Sequence, residues 1–251
     1  MNISCTSSDQ FIINQNNYQY ITDNECINRG KYLIENYLSD WNLSIRPLNF
    51  EDVNNLYDNN DLLDDICGLT MADNLGFVID EIKEEADENP SLYNSEEGLR
   101  ITYILCPLND QNEILGIVSA VINYRDPSLE LSSFGNFYSQ VIENINSIYV
   151  EIGCSNQNPQ YKQYVTGTNY FIRVYILLIA FEIINIELLW GSASGETSES
   201  KQQLHQLHIK RSCTFVEGTD IYHCDPITFI NTFFERLYNR DLLKYTNRYT
   251  K

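Results

Sequence analysis

The stretch SIYVEIGCSNQNPQYKQYVTGTNYFIRVYILLIAF, residues 147–181, decides the predicted fold of this chain. It begins with the alternating apolar and polar residues of a strand, passes through a polar loop that ends at Gly167, and continues as a strongly apolar helix. The first turn of a helix carries unpaired backbone N–H groups and the positive end of the helix dipole, so a phosphate can bind there. A glycine at the turn lets the backbone approach the anion. The stretch therefore predicts an anion site at the start of the helix.

The same stretch resembles the GNAT superfamily of acyl-coenzyme A-dependent N-acyltransferases. The resemblance lies in the strand Tyr149 to Cys154 and in residues 162–167, which fall on the pyrophosphate-loop pattern Q/R-x-x-G-x-G/A of that family. Gly167 keeps the last glycine of the pattern, whereas Lys162 stands at its first position and Val165 at its middle glycine. The resemblance implies that the strand is the fourth strand of the GNAT fold and that the loop holds the pyrophosphate of coenzyme A.

The predicted fold class is mixed α/β of the α+β type. A GNAT-like, mostly antiparallel twisted sheet is expected to be flanked by helices, with further helices added at the N- and C-termini. The predicted boundaries are an N-terminal extension with a helix over 1–40, a GNAT-like domain over 41–225 with an insertion at 125–146, and a C-terminal helix with a basic tail over 226–251.

Hydrophobic patterning supplies the other elements. Leu99 to Pro107 and Ile114 to Tyr124 are strand-like runs that predict a hairpin. Leu43 to Asp58 predicts a short strand, a proline turn and a helix, with Asn49 as N-cap and Asp52 in the capping-box position. In the insertion, a short helix is expected over Phe137 to Ile145.

The segment from Tyr170 to Trp190 is long and apolar enough to be mistaken for a membrane span. Arg173 and Glu182 interrupt it, and a charge near a bilayer centre is costly. A buried helix and then a buried strand, with the break near Ile184 and Asn185, explains the same residues better. We therefore expect no membrane association.

The charge balance restricts the partners. The 251 residues include 35 acidic and 16 basic side chains, a formal charge of −19, which opposes nucleic-acid binding and favours cationic substrates. The acidic run from Asp61 to Asn89 has two interpretations: a carboxylate wall that attracts an ammonium group, or a solvated surface. Seven cysteines without a framework spacing indicate a reducing compartment and hence a cytoplasmic protein, and Cys106 and Cys154 are expected to be small core residues.

The resemblance also implies catalytic residues. Glu151 is the expected base for the acceptor amine, directly or through a water, although a strand carboxylate that faces solvent is an equal alternative. The family's usual acid, a tyrosine, is replaced by Lys210, so His208 and Tyr222 are the remaining candidates. The predicted cofactor-binding residues are Ile152, Cys154, Lys162, Gln163, Tyr164, Val165, Thr166, Gly167, Thr168 and Gln203.

Two functions are compatible with these residues. The first is an N-acyltransferase, expected to move acetyl from the cosubstrate acetyl-CoA to an amine on a small molecule or a protein. The second is a catalytically silent GNAT-like module that binds a partner or ligand, which the departures at Val165 and Lys210 favour. No metal is expected, because the spacing of His205, His208, Cys213, His223 and Cys224 resembles no standard zinc site. The oligomeric state is not indicated.

Overall fold

The computed structural model describes residues 24–126, 128, 135, 137–138, 145–158, 161, 167–193 and 198–238. The helices of this part are α1 (Asn24–Ser39), α2 (Phe50–Tyr57), α3 (Asn60–Cys67), α4 (Leu69–Glu85), α5 (Thr168–Ile183), α6 (Ser198–Lys210) and α7 (Pro226–Tyr238). The strands are β1 (Leu43–Pro47), β2 (Leu92–Ser95), β3 (Gly98–Pro107), β4 (Gly116–Ile122), β5 (Ser147–Ser155), β6 (Leu188–Ser192), β7 (Thr214–Phe215) and β8 (Ile221–Cys224).

The strands of the described ranges form one sheet in the order β1-β3-β4-β5-β6-β8-β7. Strand β2 pairs with the first residues of β3, which β1 does not reach. Every pairing is antiparallel except that of β5 with β6. A parallel pair needs a crossover, and α5 supplies it on the way from β5 to β6. The predicted class, mixed α/β with a mostly antiparallel sheet, is confirmed.

Helices cover both faces of the sheet. Side chains alternate along a strand, so Ile104 and Ile117 point into a core shared with α2, α3 and α4. Their neighbours Leu105 and Val118 point into the opposite core, which contains side chains of α1, α5 and α7. The terminal helices α1 and α7 are therefore built into the main core, as the predicted helical additions require.

The long apolar segment divides as expected. Helix α5 ends at Ile183, and β6 begins at Leu188. Both elements are largely buried, which explains the apolar sequence without lipid. No helix in the described ranges has both the length and the apolar character for crossing a membrane.

The predicted start of α2 is confirmed in detail. The Asn49 side chain accepts from the Asp52 N–H at 2.9 Å, and the Asp52 carboxylate accepts from the Asn49 N–H at 3.0 Å. Arg46 donates to both Asp52 oxygens, at 2.6 and 2.8 Å. This bidentate pair attaches the capping box to β1.

The predicted hairpin is β3–β4, whereas β2 was not expected. Its four residues carry no clear alternation of apolar and polar side chains, so pairing with β3 decides its conformation. Most of the insertion at 125–146, with its expected helix over residues 137–145, lies outside the described residues. The basic tail after Tyr238 also lies outside them.

The cysteines differ most from the prediction. Cys106 is a free buried thiol, as expected, but Cys154 is bonded to Cys67 and Cys213 to Cys224. The Cα atoms are 4.9 and 4.5 Å apart in these pairs, the usual range for a disulfide. Because disulfides are rare in reducing compartments, the cysteines no longer favour a cytoplasmic location, which stays a prediction.

Candidate active site

The sheet opens between β5 and β6. Their parallel pairing covers Ser147–Val150 and Leu188–Gly191, and β5 then continues to Ser155 without a β6 partner. The Tyr222 hydroxyl stands where the strands separate, since a Cβ built on Gly191 would lie 2.5 Å from it. We call the gap between the diverging strands the wedge.

A β-bulge lies at the same place. Ile152 is opposite Ser119 in β4 and Val150 is opposite Ala120, so Glu151 is the extra residue between them. A bulge bends its strand and redirects the side chains beside it. Ile148 and Val150 before the bulge pack in the core with α5, whereas Ile152 and Cys154 after it pack in the core with α4. Glu151, at the bulge, lines the cleft described below.

The hydrogen bond of Asn156, just after β5, shows which backbone groups of β5 point toward β4 and which point into the wedge. The Asn156 N–H donates to the Leu115 carbonyl, on the β4 side, at 3.0 Å. Backbone groups alternate between the two edges of a strand, so those of Cys154 and Ile152 also point to β4. The groups of Gly153 point the other way, into the wedge. The predicted backbone contacts of Ile152 and Cys154 with a ligand are thus better made by Gly153.

Helix α5 begins beside the wedge. Its N-cap is Gly167, with φ of +88°, a conformation that favours glycine, and no side chain caps the first turn. In that turn, Asn169 Nδ2 donates to the Gly153 carbonyl at 2.7 Å, while Asn169 Oδ1 is buried with no partner among the described residues. The Tyr170 N–H donates to the Gly167 carbonyl at 2.9 Å, so among the described residues the Thr168 and Asn169 N–H groups and this oxygen are open to a ligand. Lys162, Gln163, Tyr164, Val165 and Thr166 lie outside the described residues.

A cleft of about 410 Å³ connects these features. One wall is α4, which contributes Met71, Asn74, Val78 and Glu81 at the three- and four-residue spacing of one helix face. The facing wall is formed by β5, the end of β6 and side chains of α5 and α6. Glu81 and Glu151 line one part of the cleft, which we call the acidic end, and Arg173 and His208 line another part.

At the acidic end, three carboxylates surround the fully buried guanidinium of Arg100. Arg100 Nη1 donates to Glu151 and, at 3.2 Å, to Ser119 Oγ, while Nη2 donates to Glu81 at 2.6 Å. Glu97 lies 3.5 Å from Nη2. One guanidinium therefore faces three acids, and the group is negative when all are ionised.

Burial governs the protonation of these acids. It raises the pKa of Glu151, an effect that Arg100 opposes. Burial also raises the pKa of Glu97 to about 7, and the charges of Glu81 and Glu151 add to this increase. The cluster therefore holds a carboxyl group that exchanges its proton near neutral pH.

At the other end, the cleft is lined by Arg173 of α5 and His208 of α6. Arg173 Nη1 donates to the Tyr222 hydroxyl at 2.9 Å, and the His208 ring stacks on the Tyr222 ring with centroids 3.9 Å apart. Burial, followed by the charges of Arg173 and Arg211, lowers the pKa of His208 to about 2. His208 is therefore a neutral imidazole near pH 7 and has no extra proton to donate.

The structure brings together part of the predicted site. Glu151 and His208 line the cleft, and Tyr222 lies behind its wall through Arg173. Gln203 does not line it: this exposed side chain donates to Glu199 of its own helix at 3.4 Å.

Sequence reasoning missed Arg100, Arg173, Glu81 and Glu97 as a group. A signal was present for both arginines, because each is the only charge in a long apolar run of its strand or helix. Such a charge must find a partner or a ligand when the element is buried.

The donors considered for zinc are not assembled. Cys213 and Cys224 are bonded to each other, so neither offers a thiolate. In the described ranges, one group of acids has the spacing of a metal site, namely Glu81, Glu97 and Glu151. The Arg100 guanidinium already binds two of these three carboxylates.

Comparisons with known proteins give structural likenesses only. No family model matches, and neither does any curated protein. Among solved structures, AtaTR bound with AcCoA is 16% identical with a TM-score of 0.47, over 76% of this chain and 98% of that one. A mutant of KacT is 12% identical with a TM-score of 0.46, over 75% and 97%. An AtaT mutant toxin bound to the C-terminus of the antitoxin AtaR and acetyl-CoA is 14% identical with a TM-score of 0.45, over 76% and 98%.

Proposed function

We propose that the protein is an N-acyltransferase that moves an acyl group from an acyl-coenzyme A, acetyl-CoA in the simplest case, to an amine. The wedge carries this proposal. The edge of β5 that no described strand pairs with lies beside a bulge and an uncapped helix start, and together they offer the backbone groups that a thioester arm and a pyrophosphate need.

The cosubstrate would bind along the wedge. The Thr168 and Asn169 N–H groups at the start of α5 would hold the pyrophosphate, and Gly167 would leave room for it because it has no side chain. Asn169 Oδ1 would accept from an amide N–H of the pantetheine arm. The Gly153 N–H would donate to the thioester carbonyl, where negative charge develops during transfer.

Two side chains would transfer protons during the reaction, Glu151 as the base and Tyr222 as the acid. Glu151 takes a proton from the acceptor ammonium, and the freed amine attacks the thioester carbon. The C–S bond then breaks, the thiolate takes a proton from the Tyr222 hydroxyl, and the second proton that the nitrogen loses as the amide forms is returned to Tyr222. The Tyr222 oxygen accepts a hydrogen bond from Arg173 Nη1, so the hydrogen of the hydroxyl remains available to the sulfur. Tyr222 is a better acid than neutral His208 for this step.

The acceptor would enter along α4. Glu81 lines the cleft next to Glu151, so an ammonium group is attracted to the end where the base lies. Farther along the acidic run, Glu84, Asp87 and Glu88 are exposed and are simply solvated. The attraction therefore involves few of the 35 acids, and the amine would belong to a small molecule or to a protein side chain.

One observation favours the alternative, a module that binds without catalysis. Glu151 is hydrogen-bonded to the buried Arg100, which stabilises its ionised form and opposes proton uptake. A silent module would retain acyl-coenzyme A binding and lose transfer. The two proposals are separated by testing binding and turnover independently.

Binding is tested by calorimetric titration with acetyl-CoA. Wild-type protein should bind, and Gly167→Ala should bind at least about tenfold more weakly, because alanine at φ of +88° costs about 1–2 kcal/mol and distorts the first turn. Gly218→Ala is the matched control, since Gly218 also has positive φ, at +75°, and has no atom within 4 Å of its notional Cβ. Absence of binding by wild-type protein at millimolar acetyl-CoA would refute the proposal.

Turnover is tested by following free thiol with acetyl-CoA and spermidine or a lysine-containing peptide as probe amines. Glu151→Gln should lower the rate about 100-fold and change the affinity for acetyl-CoA less than threefold. An unchanged rate in Glu151→Gln would remove Glu151 from the mechanism. Tight binding of acetyl-CoA with no thiol release from any probe would favour the silent module.

A further inference from the structure

Arg173 has no acidic partner in the described part of the chain. Its one side-chain hydrogen bond goes to the neutral Tyr222 hydroxyl, and its Nε is buried with no partner there. The contrast with Arg100 is direct, since that fully buried guanidinium has three carboxylates around it.

A second buried cation strengthens the local field. Arg211 is 5% exposed, and its guanidinium lies 4.5 Å from the centre of the Tyr170 ring. Burial, followed by the charge of Arg173, lowers the pKa of Arg211 to about 9. Arg211 therefore stays charged near pH 7, while the neighbouring His208 is neutral. This end of the cleft is therefore positive and attracts an anion.

The position of Arg173 indicates which part of a ligand it would meet. It lies five residues after Thr168, about 7.5 Å along α5 from the helix start proposed for the pyrophosphate. Its Nη2 lies against Gly153, because a Cβ built there would be 2.7 Å away. Gly153 is the residue proposed to hold the thioester carbonyl. Arg173 therefore faces the acyl end of the cosubstrate.

The free donors of Arg173 determine the chemical class of the anion. Nη1 is used by Tyr222, whereas Nε has no partner and Nη2 makes no hydrogen bond among the described residues. Parallel N–H groups of one guanidinium bind a planar carboxylate in bidentate fashion. A neutral acetyl group offers nothing to these donors.

We propose that Arg173 binds a carboxylate at the far end of the transferred acyl group, so that the preferred cosubstrate is a short dicarboxylic acyl-coenzyme A of the succinyl type. This inference rests on the proposed acyltransferase function. Proton and bond changes are those given above, with the carboxylate unchanged by the reaction.

The experiment compares calorimetric titrations with succinyl-CoA, butyryl-CoA and acetyl-CoA. Butyryl-CoA matches the chain length of succinyl-CoA and lacks its charge. Wild-type protein should bind succinyl-CoA at least about tenfold more tightly than butyryl-CoA. Arg173→Met should remove this preference and change butyryl-CoA affinity less than threefold, whereas Arg125→Met, an exposed arginine, should retain it. Arg173→Lys keeps the charge without the fork and should retain part of the preference.

The outcomes separate the two proposals. Equal affinities of wild-type protein for succinyl-CoA and butyryl-CoA would overturn the assignment of Arg173 without affecting the acyltransferase proposal. A preference that survives Arg173→Met would also overturn it. Absence of binding by all three thioesters would refute the acyltransferase proposal itself.

One further arm tests the acceptor as the source of the carboxylate. Lysine and its decarboxylated analogue cadaverine are titrated in the presence of coenzyme A. A preference for lysine that depends on Arg173, without a preference for succinyl-CoA, would assign the carboxylate to the acceptor and overturn the proposal for the acyl group.

Discussion

The replacement Arg100→Met is the strongest test of how Arg100 stabilises the acidic cluster of Glu81, Glu97 and Glu151. The variant fills a similar volume, but it removes hydrogen bonds to Glu81, Glu151 and Ser119 and leaves Glu97 without its cation. The three glutamate side chains are 25%, 28% and 19% exposed, so water compensates only in part. Breaking a buried ion pair by removing one partner costs about 3–5 kcal/mol. We expect a loss of about 4 kcal/mol in the free energy of unfolding at pH 8.

The loss should depend on pH. Without the guanidinium, the carboxylates repel one another and their pKa values rise, so they take up protons as the pH falls. We expect the difference between Arg100→Met and wild type to shrink to about 2 kcal/mol at pH 5. Adding Glu151→Gln to Arg100→Met should recover about 1–2 kcal/mol at pH 8, because one of the repelling charges is gone.

Urea unfolding followed by circular dichroism at pH 5 and pH 8 measures both effects. Arg46→Met is the matched control, since Arg46 is a partly buried arginine with a single acidic partner, Asp52. That control leaves the buried Asp52 without its cation and should also lose about 3–5 kcal/mol, but with a smaller difference between the two pH values, because a single carboxylate has no like charge beside it. A loss below 1 kcal/mol for Arg100→Met, or a loss independent of pH, would refute the account of the cluster.

Three further predictions concern neighbouring groups. In the wild-type protein, the raised pKa of Glu97 makes the native state bind an extra proton that is lost as the pH rises, so the free energy of unfolding falls between about pH 4.5 and 7. In Glu97→Gln this fall should be smaller by up to about 3 kcal/mol. Identical pH profiles of the two proteins would contradict this account. Tyr222→Phe should slow thiol release at least about tenfold with less than a threefold change in acetyl-CoA affinity, and an unchanged rate would exclude Tyr222 as the acid. Replacing both Cys67 and Cys154 by serine should lower the free energy of unfolding in urea by about 4–5 kcal/mol, and replacing both Cys213 and Cys224 should lower it by about 3 kcal/mol. The difference arises because the closed loops span 87 and 11 residues. The reverse order would contradict the chain-entropy account.

Local chemistry made several elements predictable. Asn49 and Asp52 form the capping box that their spacing indicates, and Gly167 adopts the left-handed conformation that the proposed turn requires. The break after α5 lies at the polar residues that interrupt the apolar segment. These features depend on residues close in sequence, so the pattern alone contains them.

Other features depend on residues far apart in sequence. Strand β2 exists because β3 offers an edge to four residues with weak strand character. The disulfide of Cys67 with Cys154 joins residues 87 positions apart, and no spacing rule predicts it. Gln203 points outward from helix α6, which only packing against the sheet decides, and its contact with the cofactor stays a prediction.

By itself, the sequence between residues 147 and 181 determined the strand, the glycine turn and the apolar crossover helix, because periodicity and backbone preference act locally. Only the tertiary structure decided that β5 separates from β6 after Val150 and that Glu151 of the bulge meets Arg100 of β3. It also brought Arg173 to the same cleft without an acid among the described residues. Charge pairing and strand divergence depend on how strands and helices that are distant in sequence align with one another. The sequence of one segment does not specify that alignment.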